Sequence, residues 1–386
     1  MMLQLISTSL RLSMAIVIVA APAGAQSARP SSDVQALSRG WAALAAGRTP
    51  DAVSAADAVL KRRPRSHAAL SLKIEALSSG AQPLTALDAY EEWLARGGRS
   101  VEDRGLLEAV AAGILRALAT DPDPDIRSRA LQSLARAGDE AALQALKARS
   151  AAGDQTATVA LAEEGDAGAI GTLQTLVQAG TGRDMSAAIA ALAGHGGVTP
   201  QLIETLSKDR VPMNRAAAAG ALAARASPAA VQQLDELSRD PDSFVRRSVI
   251  LARAKNGDRN AMAEARAMLA SEVPDLRLMA ANALQTALPR ESEEAVRPLL
   301  TSPDGLLRFE AAAIVGRSDP QAVQSIVVEG LSHENPVIRQ QAAHVAATAL
   351  PGDLALLRQL LRHPDRAIVV TAAGAVIAAL PSGAEK

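Results

Sequence analysis

DPDSFVRRSV (240–249), VPDLRLMAANAL (273–284), SPDGLLRFEAA (302–312) and NPVIRQQAAHVA (335–346) are four versions of one phrase. Each opens with a Pro/Asp-rich break, carries an arginine a few residues on, and runs into an Ala-rich apolar stretch. Arg215, Arg246, Arg277, Arg308 and Arg339 stand 31 residues apart, and the next step of the same length reaches Val370. A fixed period of this size is the mark of a stacked solenoid, in which each unit buries its apolar face only against its neighbours.

Inside one unit the order is legible. The Pro/Asp break starts a first helix, A, with the arginine in its first turn. Small residues three places on (Ala218, Val249, Ala280, Ala311, Ala342, Ala373) should face a neighbouring helix. A second break follows at Pro228, Asp258, Pro289, Pro320 and Pro351, marking helix B, since proline in a first helical turn forfeits no hydrogen bond. Two helices of about twelve residues and two short turns fill the period. No strand pattern competes, so the fold class is all-α.

Working outward, DPDPDIRSRALQSLARAGDEAALQAL (121–146) opens the array, with Arg127 in the ladder position. Two degenerate units follow: 154–180 is shortened, and 184–210 carries Asp184 where arginine is expected and a GHGG turn at 194–197. Residues 98–120 read as a bridging helix. From Asp33 to Arg96 the pattern is two helical hairpins. At the far end, AIVVTAAGAVIAAL (367–380) holds no charge, and only one helix is legible in the last unit. Solenoids usually close with a polar cap; here one face of the last helix is expected to pack on the preceding repeat, and the other either is covered by alanine alone or docks a partner or a second copy, with Ile368 and Val369 as the contact residues.

The first 32 residues are of another kind. Arg11 precedes the apolar run LSMAIVIVAA (12–21), and Ala23-Gly24-Ala25 supplies the small-x-small pattern of a signal-peptidase site. The expectation is a signal peptide over 1–25 cut before Gln26, a polar linker over 26–32, and export to the periplasm or beyond. The run is too short for a comfortable membrane span, and no cysteine follows it that could carry a lipid.

Composition narrows function by exclusion. The 386 residues carry a formal charge of −1, 1% aromatics and no cysteine. The balanced charge and scarce aromatics argue against a nucleic-acid stripe. The lack of cysteine excludes disulfides, thiolate metal sites and cysteine nucleophiles. No nucleophile elbow, phosphate-cradling loop or metalloprotease helix is present. Glu163-Glu164 and Glu293-Glu294 are adjacent acids pointing different ways on a helix. His333 and His363 occupy matching turns but lack a third ligand at metal-site spacing. We therefore expect no enzyme activity, metal or cofactor.

The D-P-D-x-x-V-R turn with its two helices resembles the HEAT family, and the 31-residue period resembles the short HEAT-like repeats first known from phycobilisome lyases. The likeness covers 121–380. It implies a right-handed α-solenoid whose B helices line the concave face, with the aspartates and arginines knitting adjacent repeats together. Most such proteins bind proteins, some act on bilins, and a related solenoid repairs alkylated DNA. Residues 33–97 resemble tetratricopeptide repeats, with Gly40, Ala52, Ala56 and Pro64 at the small and terminal positions and Ala86, Tyr90 and Trp93 at the matching places of a second hairpin; Trp41 is off register. The tail is 381–386.

The ladder arginines (Arg127, Arg215, Arg246, Arg277, Arg308, Arg339) are read as joints between repeats, each guanidinium fork bonding to aspartates or carbonyls; Asp242, Asp275 and Asp304 lie within a turn of their arginines. A row on helix B twenty residues after each arginine, Asp235, Arg266, Arg297, Val328 and Gln359, is either a solvated face or a recognition surface. It keeps its place while changing its chemistry, as a recognition surface for a protein or peptide would. The expected function is a non-catalytic interaction scaffold. The rivals are a bilin-lyase-like enzyme and a structural protein assembling through its C-terminal helix.

Overall fold

A computed structural model describes residues 32–97, 102–180, 185–223, 225 and 227–378. The signal segment, the proposed cleavage site, Asp184 and the tail lie outside these residues. Among those described there is no strand; the chain is all-α.

By its internal contacts the chain divides into two compact units, the first built from residues up to 145 together with those from 351 on, the second from 146 to 350. The first holds α1 (Ser32–Ala45), α2 (Thr49–Arg62), α3 (His67–Ser79), α4 (Pro83–Gly97), α5 (Arg104–Leu118) and α6 (Pro124–Arg136), then, after the second unit, α21 (Leu354–Leu360) and α22 (Arg366–Ile377). The boundary falls inside α7 (Glu140–Ala151). The second unit continues with α8 (Gln155–Glu163), α9 (Ala167–Gln178), α10 (Met185–Gly194) and α11 (Pro200–Ser207). Its regular part is α12 (Pro212–Ala223), α13 (Pro228–Leu237), α14 (Ser243–Lys255), α15 (Arg259–Leu269), α16 (Pro274–Leu284), α17 (Pro289–Val296), α18 (Gly305–Val315), α19 (Pro320–Leu331) and α20 (Pro336–Ala349). From α6 onward even numbers are A helices and odd numbers are B helices. Pro351 is the one marker that misses: it sits in the turn, and α21 starts at Leu354 behind its cap Asp353.

The small residues placed between helices are buried as read: Ala218, Ala280, Ala311, Ala342 and Ala373 are fully covered and Val249 nearly so. Close packing is tightest at Gly330, where a Cβ would lie 2.1 Å from Phe309 Cζ and 2.8 Å from Ala342 Cβ. Gly330→Ala should therefore cost about 2 kcal/mol through overpacking, read as a lower denaturant midpoint with an unchanged m-value. In the first unit, Gly40 lets Leu72 approach to within 2.4 Å of where its Cβ would be, above an apolar cluster of Ala43, Ala52, Ala56, Leu72 and Ala76. Tyr90 and Trp93 are buried and stacked, with ring centroids 6.4 Å apart, while Trp41 is 39% exposed.

The turns from a B helix into α6, α12, α14, α16, α18, α20 and α22 are closed the same way. The side chain two residues before the helix cap accepts the cap residue's N–H: Asp121 from Asp123, Asp209 from Val211, Asp240 from Asp242, Ser271 from Val273, Ser302 from Asp304. His333 and His363 do this work in their own turns, Nδ1 accepting from Asn335 and Asp365 at 3.0 Å. The two matching histidines thus replace an aspartate, which accounts for their register without a metal; among the described residues no acid or histidine group is arranged for one.

The ladder arginine then reaches back over the turn. Nη1 donates to the carbonyl six residues earlier at Asp121 (2.6 Å), Asp209 (2.8 Å), Asp240 (2.6 Å) and His333 (2.8 Å). These carbonyls lie just past the end of helix B, where unsatisfied acceptors and the negative end of the helix dipole favour a cation. Asp242 and Asp304 are not the arginines' partners; they cap their helices, accepting from Phe244 and from Leu306 and Leu307. In the shortened unit the same count from the cap Asp154 reaches Thr158, buried, whose hydroxyl donates to the Asp154 carbonyl.

Arg215 uses its second edge as well. Nε and Nη2 donate to both oxygens of Asp240, 25 residues on, at 2.7 and 2.9 Å. These hydrogen bonds hold the Asp240 carboxyl below the ordinary range of an aspartate. Twenty-five residues after Arg277 stands Ser302, too short to reach, and the Arg277 Nε–H is buried without an acceptor. Ser302→Asp would supply one while still closing its own turn. We expect a gain of about 1 kcal/mol, seen as a raised Tm that Arg277→Lys abolishes.

The array's end is where the structure departs furthest from the sequence reading. Four residues separate cap from ladder arginine at Asp123–Arg127, Asp242–Arg246, Asp304–Arg308 and Asn335–Arg339. From Asp365, the cap of α22, the same count reaches Val369 and not Val370. Ile368, Val369 and Val370 are all buried, because α22 packs against α5 and α6. At the start of α5, Arg104 donates to the Val376 and Ala378 carbonyls at the end of α22; at the other end, Arg366 donates to both oxygens of Asp121, 2.7 and 2.6 Å away. So α5 runs antiparallel to α22 and fills the place of its missing helix B. Asp121, the counterpart of Asp240, receives its guanidinium from Arg366 because Val369 has none to give. The last repeat is completed by a helix from the first third of the chain. The expected docking site at Ile368 and Val369 is therefore corrected: the apolar helix is covered by its own chain.

Candidate binding surface

The helix-B row lies on solvent-facing positions. In the second unit Asp235, Arg266 and Val328 are exposed and Arg297 half-exposed; Gln359, in the first unit, is exposed on α21. The residues beside them on the same helices, Leu234, Leu237, Val296 and Val327, are core, which fixes the direction in which the row points.

The three charged members are not bare. Asp235 accepts from Arg253 Nη2 at 2.5 Å. Arg266 donates with Nε and Nη2 to the two oxygens of Glu291 on the next B helix, at 3.0 and 3.1 Å. Arg297 bridges Glu293 and, at 3.0 Å, Asp319, the cap of α19. Ser318 also donates to Glu293, and the hydrogen bonds from Ser318 and Arg297 hold that carboxyl below its ordinary range. The pairs span successive repeats on the solvent side. Exposed pairs of this kind contribute little to stability, so a ligand's charge could replace a partner at small cost. Val328 is the apolar member of the row, 52% exposed.

The first unit carries a separate concavity between α2, α3 and α4, a cleft of about 340 Å³ lined by Leu60, Leu70, Trp93, Lys61, Lys73 and Arg96 among others. Its charges are already matched in part, Lys73 with Asp57 at 2.7 Å and Arg96 with Glu92. His195 is a loop residue, as read, its Nε2 within 2.6 Å of the Glu163 carbonyl. Sequence reasoning did not foresee the ion pairs of the row, because their acidic partners sit at no fixed offset: Glu291 lies 25 residues from Arg266 and Asp319 lies 22 from Arg297.

With the turns, the arginine joints and the paired A and B helices in view, the family comparison is direct. The family model for HEAT repeats matches residues 199–285 and 293–378. Residues 199–378 of the chain are HEAT repeats. The two matches cover the regular part of the array through to α22, and HEAT-repeat solenoids of this kind are commonly non-enzymatic and mediate protein–protein interaction. A search of curated proteins finds no match for the chain. The family match does not extend to residues 33–97 and does not bear on their tetratricopeptide likeness. Among the described residues no helix is long and apolar enough to cross a membrane.

Proposed function

We propose that this HEAT-repeat protein is an exported, non-catalytic scaffold that holds a protein or peptide partner on the exposed face of its B helices. The observation that carries the reading is the row Asp235, Arg266, Arg297 and Val328. It recurs at one register, faces solvent, and offers a different chemistry in each repeat. A surface of this form reads a partner position by position, with charges at three repeats and an apolar contact at the fourth.

Export rests on the apolar run 12–21 and the Ala23-Gly24-Ala25 site. N-terminal sequencing of the protein recovered from its host should begin at Gln26.

The binding face is tested by reversing charge at Arg266 and Arg297 together and identifying cross-linked partners by mass spectrometry. We expect the cross-links that map to B helices of residues 228–331 to vanish while helical content is unchanged. An identical set of cross-links from the variant would reject this face.

A further inference from the structure

KRRPR (61–65) is the densest run of positive charge in a chain whose formal charge is −1. It ends α2 and makes the turn into α3. The end of a helix favours cations in its last turn, which accounts for Lys61 and Arg62 but not for Arg63 and Arg65. Asp33 accepts from Arg62 at 2.6 Å and from Arg63 at 2.9 Å, so one carboxylate serves two guanidiniums. Lys61 and Arg65, both exposed, have no acidic partner among the described residues. Asp57, one helical turn before Lys61 and its natural mate, is taken by Lys73 from α3 at 2.7 Å.

This surplus of charge opens onto the cleft of the first unit. Lys61 and Pro64 line it from α2 and its turn, Lys73 from α3, Glu92 and Arg96 from α4. Three cations thus meet two carboxylates, Asp57 and Glu92, around a floor that is apolar and covered: Leu70 is 1% exposed, Trp93 4% and Ala89 8%. We propose that the cleft binds an acidic peptide segment carrying one large apolar residue between carboxylates. The apolar side chain enters the volume of about 340 Å³, within the size range of ligand sites, and rests on Leu70 and Trp93. Carboxylates on one side of it pair with Lys61 and Arg65. Those on the other side pair with Arg96, whose present mate, Glu92, is an exposed neighbour on the same helix and holds it weakly. Other anionic surfaces fit less well. A membrane meets the side chains that protrude, and here the cations protrude while the apolar groups are recessed. Single-stranded nucleic acid stacks on open aromatic faces, whereas Trp93 is buried, stacked on Tyr90 and edged by His67.

The test uses the whole chain with Trp41→Phe, which leaves Trp93 as its one tryptophan and makes its emission a report from inside the cleft. The probe is the peptide acetyl-Glu-Glu-Leu-Glu-Glu-amide. The expected result is a saturable change in Trp93 emission. Binding should be at least tenfold weaker for two control peptides, one with serine for the leucine and one with glutamines for the glutamates. Lys61→Glu combined with Arg65→Glu should weaken the probe at least tenfold with an unchanged circular dichroism spectrum, since both side chains are exposed and unpaired. Charge reversal at Arg266 and Arg297 should leave the affinity as it was, which separates the cleft from the helix-B face. No saturable response to the probe, equal affinity for the three peptides, or undiminished binding in the double variant overturns the proposal. So does a Trp93 response to phosphatidylglycerol vesicles, lost in the double variant, in place of one to the peptide, since the partner would then be a membrane surface.

Discussion

A chain ended after Pro364 is expected to lose the fold of its first unit. The deletion removes α22, whose Ile368, Val369, Val370 and Val376 are buried along with Ala372 and Ala373. At about 1.5–3 kcal/mol for each fully buried branched side chain, the four large ones alone contribute on the order of 6–12 kcal/mol, as much as the whole stability of an ordinary domain. The loss falls on both partners, because α5 and α6 would be left with bare apolar faces and Asp121 without Arg366. Limited proteolysis is the direct measurement: cleavage within 32–145 should become rapid at 25 °C. A truncated chain as resistant there as the full one would mean that α5 and α6 do not depend on α22. Ile368→Asp makes the same point with one residue. It should melt the first unit, whereas a free docking site would change only association.

The second large effect lies in the ion network that ties α4 to α21. Arg358 donates to Glu91 at 2.7 Å and to Glu102 at 3.1 Å, and Arg362 reaches Asp88 and Glu91. The Tyr90 hydroxyl donates to Glu102 and accepts from the Asp103 N–H; burial, with the Glu102 bond, pushes that phenol well above its ordinary value. Arg358→Ala would leave two partly buried carboxylates facing each other, and we expect a cost of about 3 kcal/mol in chemical denaturation. The network also sets a pH dependence. Burial alone would raise the Glu91 carboxyl, but the hydrogen bonds and charges of Arg362 and Arg358 outweigh it and hold the group below its ordinary 4.5. A carboxyl lowered in the folded state contributes stability above its unfolded value and loses it as pH falls through the folded one. The first unit should therefore weaken progressively below about pH 4.5. In Glu91→Gln the fall should be shallower and the neutral-pH stability lower, and a variant with an unaltered acid slope would remove Glu91 from this account.

Much of the array was legible because each repeat is a local event. Asp, Pro and the arginine of a turn act on atoms within about six residues, so a period in the sequence becomes a period in space without knowledge of the rest. The helix-B row was legible for the same reason: its flanking residues are core by helical spacing alone. The ion pairs over that row were not, since Arg266–Glu291 and Arg297–Asp319 depend on how far neighbouring repeats are rotated. Nor was the exposure of Met213, Leu306 and Val337 at the starts of A helices, which look like any other hydrophobic residues until burial shows which are left outside.

The amino-acid sequence by itself determined that this chain is an all-α stack with an arginine joint in each regular turn, because caps, proline breaks and a 31-residue period are short-range chemistry. It also marked lapses of the joint at Asp184 and at the last helix, where the period reaches Val370. Only the tertiary structure decided what the second lapse means. Val369 carries no guanidinium because α22 has no following repeat of its own; its second helix is α5, about 260 residues earlier in the chain, and its charge has moved to Arg366 to meet Asp121. A contact of that sequence separation leaves no periodic trace, so an end that reads as bare turned out to be the place where the chain meets itself.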